Sequence, residues 1–184
     1  RRLAEALDAT AVVTTAGDAR FGVALDEPPP GFALARPEDA KRFMAALLDG
    51  AACRLMDVAG LAGWLRESRL PFTEDAALVI EVTHESRQAT GDRLVIHPRT
   101  LALGVGSERH ASAAELRGLV EATLAAAGLA PEAVACVVSV ALKAAEPAVH
   151  ALAGSLAAIY GYLPLGRLAE VFTILAEPEF HGQS

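Results

Sequence analysis

Apolar and polar positions alternate in blocks along this chain, and each block has the length of one element. Leu3, Ala6 and Leu7 form a helical stripe with no cap before it, which predicts a chain that opens inside a helix, as a fragment would. Ala11-Val12-Val13-Thr14-Thr15 is an apolar run of strand length, broken by Ala16-Gly17-Asp18. Phe21 to Leu25 reads as a second strand or a loop, and Pro28-Pro29-Pro30-Gly31 interrupts it. From Pro37 the period changes to that of a helix. Proline stands at the first position, Glu38 and Asp39 fill the first turn, Ala40, Phe43, Met44 and Leu47 make the apolar face, and Gly50 ends it. Val58 to Trp64 fits a strand edge or a short helix, and Leu78 to Val82 is a strand.

The stretch from His84 to Asp92 is polar and ends in Thr90-Gly91-Asp92, so a domain boundary is expected there, with one domain over 1–88 and a second over 92–184. The second half begins with two predicted strands, Leu94 to Pro98 and Thr100 to Gly104, joined by a Pro-Arg turn. Ser112-Ala113-Ala114-Glu115 has the form of a capping box. The helix it opens carries Leu116, Leu119, Val120, Thr123 and Leu124, and closes at Gly128 with Pro131 just beyond. Val134 to Val140 is a buried strand, and Glu146-Pro147 opens a helix through Leu152. Strands alternating with helices predict an α/β fold: two small α/β domains, the second with a mainly parallel sheet flanked by helices.

Composition narrows the function. The chain has 184 residues and a formal net charge of −7. A general nucleic-acid role is disfavoured, because that needs a basic surface to displace counterions. No apolar run reaches the length of a membrane span, and no secretory signal opens the sequence, so a cytoplasmic protein with neither nucleic acid nor membrane as partner is expected. Cys53 and Cys136 lie in apolar surroundings and read as buried free thiols. The five histidines, at 84, 97, 110, 150 and 181, give no ligand pair at helical spacing, so no protein metal site is expected.

Two loops could carry chemistry. In Leu103-Gly104-Val105-Gly106-Ser107-Glu108-Arg109, glycines bring backbone close to a ligand, amides near a helix start favour an anion, and Arg109 could grip a carboxylate. The plain alternative is a tight strand-to-helix turn with a solvated arginine. In Ser139-Val140-Ala141-Leu142-Lys143-Ala144-Ala145-Glu146-Pro147, a hydroxyl, an ammonium and a carboxylate follow a central strand, where open α/β sheets bind ligands. The alternative there is a surface ion pair plus a capping carboxylate. Thr15 and Asp18 add side-chain oxygens at the end of the first strand, which turn chemistry explains equally well. Trp64 could stack on a planar ring or simply fill a core.

Taken together, these segments resemble the CbiG and CobE proteins of cobalamin biosynthesis. The first part is similar to the middle region of CbiG through Val12 to Asp18, Asp26, and the helix from Lys41 to Leu48 closed by Gly50. The second part resembles the CobE/CbiG C-terminal domain through Leu103-Gly104-Val105-Gly106-Ser107, the Ser-Ala-Ala-Glu helix, and Val138-Ser139-x-x-x-Lys143-x-x-Glu146-Pro147. The resemblance covers most of residues 1–153. The family's Gly-His-x-Gly-Gly-Ala-Asn stretch is not in this sequence, and after Ala153 the pattern departs from the family's.

What the resemblance implies is a cobalt-precorrin-5A hydrolase. Such a protein opens a lactone on the contracted macrocycle and releases the excised carbon as acetaldehyde. Glu146 would be the general base and Lys143 would stabilise oxyanion charge. Gly104, Gly106, Ser107, Arg109, Ser139, Thr15 and Asp18 would bind the substrate. No cofactor is expected beyond cobalt carried by the substrate. The expected partner is a small-molecule corrin precursor, with fusion to or contact with a precorrin methyltransferase, or a homodimer, as further options. Two other readings stay open: a non-catalytic CobE-like tetrapyrrole-binding module, and part of a fused methyltransferase polypeptide.

Overall fold

The computed structural model describes residues 16–106, 111–140 and 145–163. It divides into two compact units, Arg1–Pro98 and Arg99–Ser184. Both are mixed α/β with parallel strands flanked by helices.

The first unit contains α1 (Ala16–Phe21), β1 (Phe32–Leu34), α2 (Pro37–Leu48), β2 (Cys53–Asp57), α3 (Gly63–Arg66), β3 (Leu78–Val82) and β4 (Arg93–Pro98). The sheet order is β1-β4-β3-β2. β2, β3 and β4 run parallel, and β1 lies antiparallel on β4. The α2 pattern is met residue for residue: Ala40, Phe43, Met44 and Leu47 are its buried positions. Gly50 takes a φ of 102° just past the end. The bonds Gly50 N–H to Leu47 O and Ala51 N–H to Ala46 O close the helix with a left-handed cap that suits glycine. One core joins these side chains to Phe21, Leu65, Ile80, Val82, Leu94 and Ile96.

β3 is buried at all five positions, as a central parallel strand should be. Leu78, Ile80 and Val82 enter that core, so Val79 and Glu81 face the other way. Residues 83–92 connect β3 to its parallel neighbour without a helix. This connection brings Arg87 Nε to 3.3 Å from Glu81 Oε1, while Arg93 of β4 donates to Glu81 Oε2 at 2.7 Å. Arg87 also pairs with Glu85.

Here the expected boundary at 88–92 moves. The polar stretch is an internal crossover, and the unit ends at Pro98. β4 pairs with β3 and β1, and Leu94 and Ile96 bury in the first core, so the strand belongs to the first unit. The two strands expected on either side of the Pro-Arg turn therefore sit in different sheets. β2 had no counterpart in the sequence pattern. Arg54, Met56 and Asp57 blur its alternation, and as an edge strand it is fully buried only at Cys53. Of Val58 to Trp64, expected as a strand edge or a short helix, only Gly63 and Trp64 are helical, in the short α3; residues 58–62 are bend and loop. The expected strand at 11–15 lies outside the described residues.

The second unit contains β5 (Leu101–Gly104), α4 (Ala113–Ala126), a 3-10 turn (Pro131–Ala133), β6 (Val134–Val140), α5 (Pro147–Ser155) and β7 (Ile159–Leu163). Its sheet has the order β5-β6-β7, all parallel. Leu116, Val120 and Leu124 of α4 and Val149 and Leu152 of α5 share one core with Leu103 and Val137. Leu119, expected on the apolar face, is exposed.

Ser112 takes the N-cap backbone conformation, but its side chain makes no capping bond, so the expected capping box is present only in the backbone. Gly128 closes α4 at a φ of 67°, through Gly128 N–H to Ala125 O and Leu129 N–H to Leu124 O. α5 ends in the same hydrogen-bond pattern, but with Ala157 at a φ of 47° in the glycine place. Arg99 Nη2 donates to the carbonyls of Leu156, Ala157 and Val134, tying the end of α5 to the start of β6. Such a cation suits a helix C-terminus, where carbonyls lack partners.

Candidate functional site

The parallel register brings the two candidate loops together. Gly104 at the end of β5 stands beside Val138, and the bond Val105 N–H to Val138 O, 2.9 Å, extends the ladder one residue further. Ser139 Oγ then donates to Val105 O at 2.8 Å. The glycine turn and the loop after β6 therefore leave the same carboxyl edge of one sheet. α4 and α5 begin after those loops, so both helices present their amino ends on that side, where partial positive charge and unpaired amides favour an anion.

Gly104 is partly buried, and Gly106 is exposed. A Cβ on Gly106 would meet nothing within 4 Å, and its φ is not in the left-handed region, so neither crowding nor a turn requires glycine there. Ser139 is buried, and the proton of its hydroxyl is used on Val105. Glu146 is half-buried at the N-cap of α5. Its carbonyl accepts from Val149 and His150, and its side chain makes no capping bond. Lys143, Ser107, Arg109 and Thr15 lie outside the described residues.

Asp18 belongs to the first unit. It sits in the first turn of α1, and its carbonyl accepts from Gly22 at 2.8 Å. Trp64 is partly buried in the first core, tilted against Phe32 with ring centroids 5.4 Å apart. Its role is packing, although its indole N–H is buried without an acceptor among the described residues.

Sequence reasoning passed over three polar features. His150 follows Glu146 by one helical turn and meets Tyr160 edge-on, with ring centroids 4.4 Å apart; the spacing was a visible signal. His97 is buried, with Nδ1 2.7 Å from the Thr83 carbonyl. Glu81 is buried between two arginines, and no local pattern marks it. Of the two thiols, Cys53 is buried and Cys136 only half-buried, so the expectation holds for the first alone. Burial pushes the Cys53 thiol up to about 11. Among the described residues, no group of three or more His, Cys, Asp or Glu side chains is arranged to hold a metal ion, and no helix is long and apolar enough to cross a membrane.

Residues 101–183 match the family model for the cobalamin synthesis G C-terminus. No curated protein matches the chain. Among solved structures, the chain is similar to a cobalamin biosynthesis protein G homolog from Sulfolobus solfataricus, at 16% identity and a TM-score of 0.36. That match covers 98% of this chain and 53% of the other, so the chain spans about half the length of that protein. The matched residues, 101–183, include the parallel β5-β6-β7 sheet and the sequence of both candidate loops.

Proposed function

We propose that the protein acts in cobalamin synthesis, hydrolysing the lactone of a cobalt-precorrin with release of acetaldehyde. The observation that carries this reading is the shared edge: the glycine turn and the loop leading to Glu146 leave adjacent parallel strands at the end where two helices begin. A corrin precursor carries many carboxylates, and such an edge suits them. The turn amides, Ser107 and Arg109 would hold peripheral carboxylates. Glu146 would take a proton from the attacking water, and Lys143 would stabilise the oxyanion formed on the lactone carbonyl. Collapse of that intermediate breaks the acyl C–O bond and leaves a ring carboxylate and a freed alkoxide. The alkoxide becomes acetaldehyde as its C–C bond to the macrocycle breaks, and the macrocycle keeps the electron pair and takes up a proton. Cobalt arrives as part of the substrate.

The test is acetaldehyde release by the intact protein carrying Glu146→Gln or Lys143→Ala. Losing the base should lower turnover by about 100-fold or more. Near-native turnover in both variants removes these residues from the mechanism. Tight precursor binding with no acetaldehyde from the wild type supports a binding module instead.

A further inference from the structure

We infer that Ser139 is a positioning residue whose buried hydroxyl clamps the glycine turn in the form that receives an anion. The chemistry starts at Val105, one residue beyond β5. Its N–H donates to Val138 O at 2.9 Å, and its carbonyl accepts from Ser139 Oγ at 2.8 Å. With both backbone groups tied to β6, the direction of the next peptide is fixed. The next residue, Gly106, is exposed, and the space a Cβ would fill is open. Among the described residues nothing accepts a hydrogen bond from its amide. A fixed amide with an open approach at a helix-start edge is a place for a carboxylate or a developing oxyanion. Ser139 serves it indirectly, because the hydroxyl proton that a ligand would need is given to Val105. A strand residue with only 5% of its surface exposed meets a ligand less readily than it holds a neighbour.

The inference rests on the corrinoid reading only for the identity of the anion. It is tested in the intact protein with Ser139→Ala and Ser139→Thr, using amide hydrogen exchange and binding of uroporphyrin III, a tetrapyrrole octacarboxylate. In Ser139→Ala the Val105 amide should exchange about tenfold faster, with the Leu152 amide in α5 unchanged, and uroporphyrin affinity should fall about tenfold. Threonine keeps the hydroxyl and should restore both. Unchanged Val105 exchange in the alanine variant overturns the clamp. Loosened exchange with unchanged probe affinity overturns its role in binding. Equal defects in both variants assign the effect to side-chain volume and also overturn it. A wild-type protein that ignores the probe, while alanine loosens Val105 and threonine restores it, sinks the corrinoid reading and supports the clamp.

Discussion

The Glu81 site should show a marked asymmetry between removing the acid and removing its bases. The Glu81 side chain is 3% exposed, whereas Arg93 and Arg87 are 40% and 45% exposed. Replacing both arginines with methionine keeps much of their apolar stems but strands a carboxylate inside the first unit. Breaking a buried pair in this way costs about 3–5 kcal/mol. Replacing Glu81 with methionine removes the buried charge itself. The two arginines, already near solvent, can turn their guanidinium groups into water. The lost charged hydrogen bonds are then largely offset by removing the desolvation cost, and the net loss should be about 0–1 kcal/mol. Against a total domain stability of about 5–15 kcal/mol, the first change is severe and the second mild. Trp64 is the chain's single tryptophan and lies in the first core, so its fluorescence during urea unfolding reports this unit. The triple variant should recover most of what the double arginine variant loses. If Glu81→Met costs as much as the double arginine change, or the triple variant recovers nothing, burial of the charge is not what governs this site.

Two further outcomes follow from the fold. Ala157 holds a left-handed backbone that costs an alanine about 1–2 kcal/mol, against about 0.4–1 kcal/mol of chain entropy that glycine adds to the unfolded state. Ala157→Gly should therefore stabilise α5 by roughly 0.5 kcal/mol, read as slower exchange of the Leu152 amide; equal or faster exchange refutes the strain. The Cys53 thiol stays neutral in the fold to about 11, while the unfolded chain ionises from near 9. Stability of the first unit should hold below about pH 9 and fall between about pH 9 and 11, by up to about 3 kcal/mol. Urea melts at pH 8 and pH 10.5 check this against Cys53→Ala, and equal pH slopes in the two proteins would refute it.

Much of the fold was legible because its signals are local. The α2 helix carries its own start in Pro37, its buried stripe in Ala40, Phe43, Met44 and Leu47, and its stop in Gly50, all within one stretch of chain. β3, β6, α4 and α5 were marked in the same way. The first strand of the second half was drawn correctly but assigned to the wrong domain. A polar crossover and a polar linker have the same composition, and only the pairing of Leu94 and Ile96 with β3 and β1 tells them apart. The serine cap failed for a related reason: sequence places Ser112 at a helix start, but side-chain geometry decides whether its hydroxyl bonds.

The amino-acid order by itself determined the types of the longer elements, the α/β class and the family motifs, because helix and strand periods and caps act over a few residues, whereas α1, β1 and β2 were not marked in it. Tertiary structure alone decided that Ser139 reaches Val105, that Glu81 is buried between Arg87 and Arg93, and that β4 lies between β1 and β3 in the first sheet. Each of these depends on strand register between distant segments. One step of register turns a side chain to the opposite face, and local sequence does not specify that step.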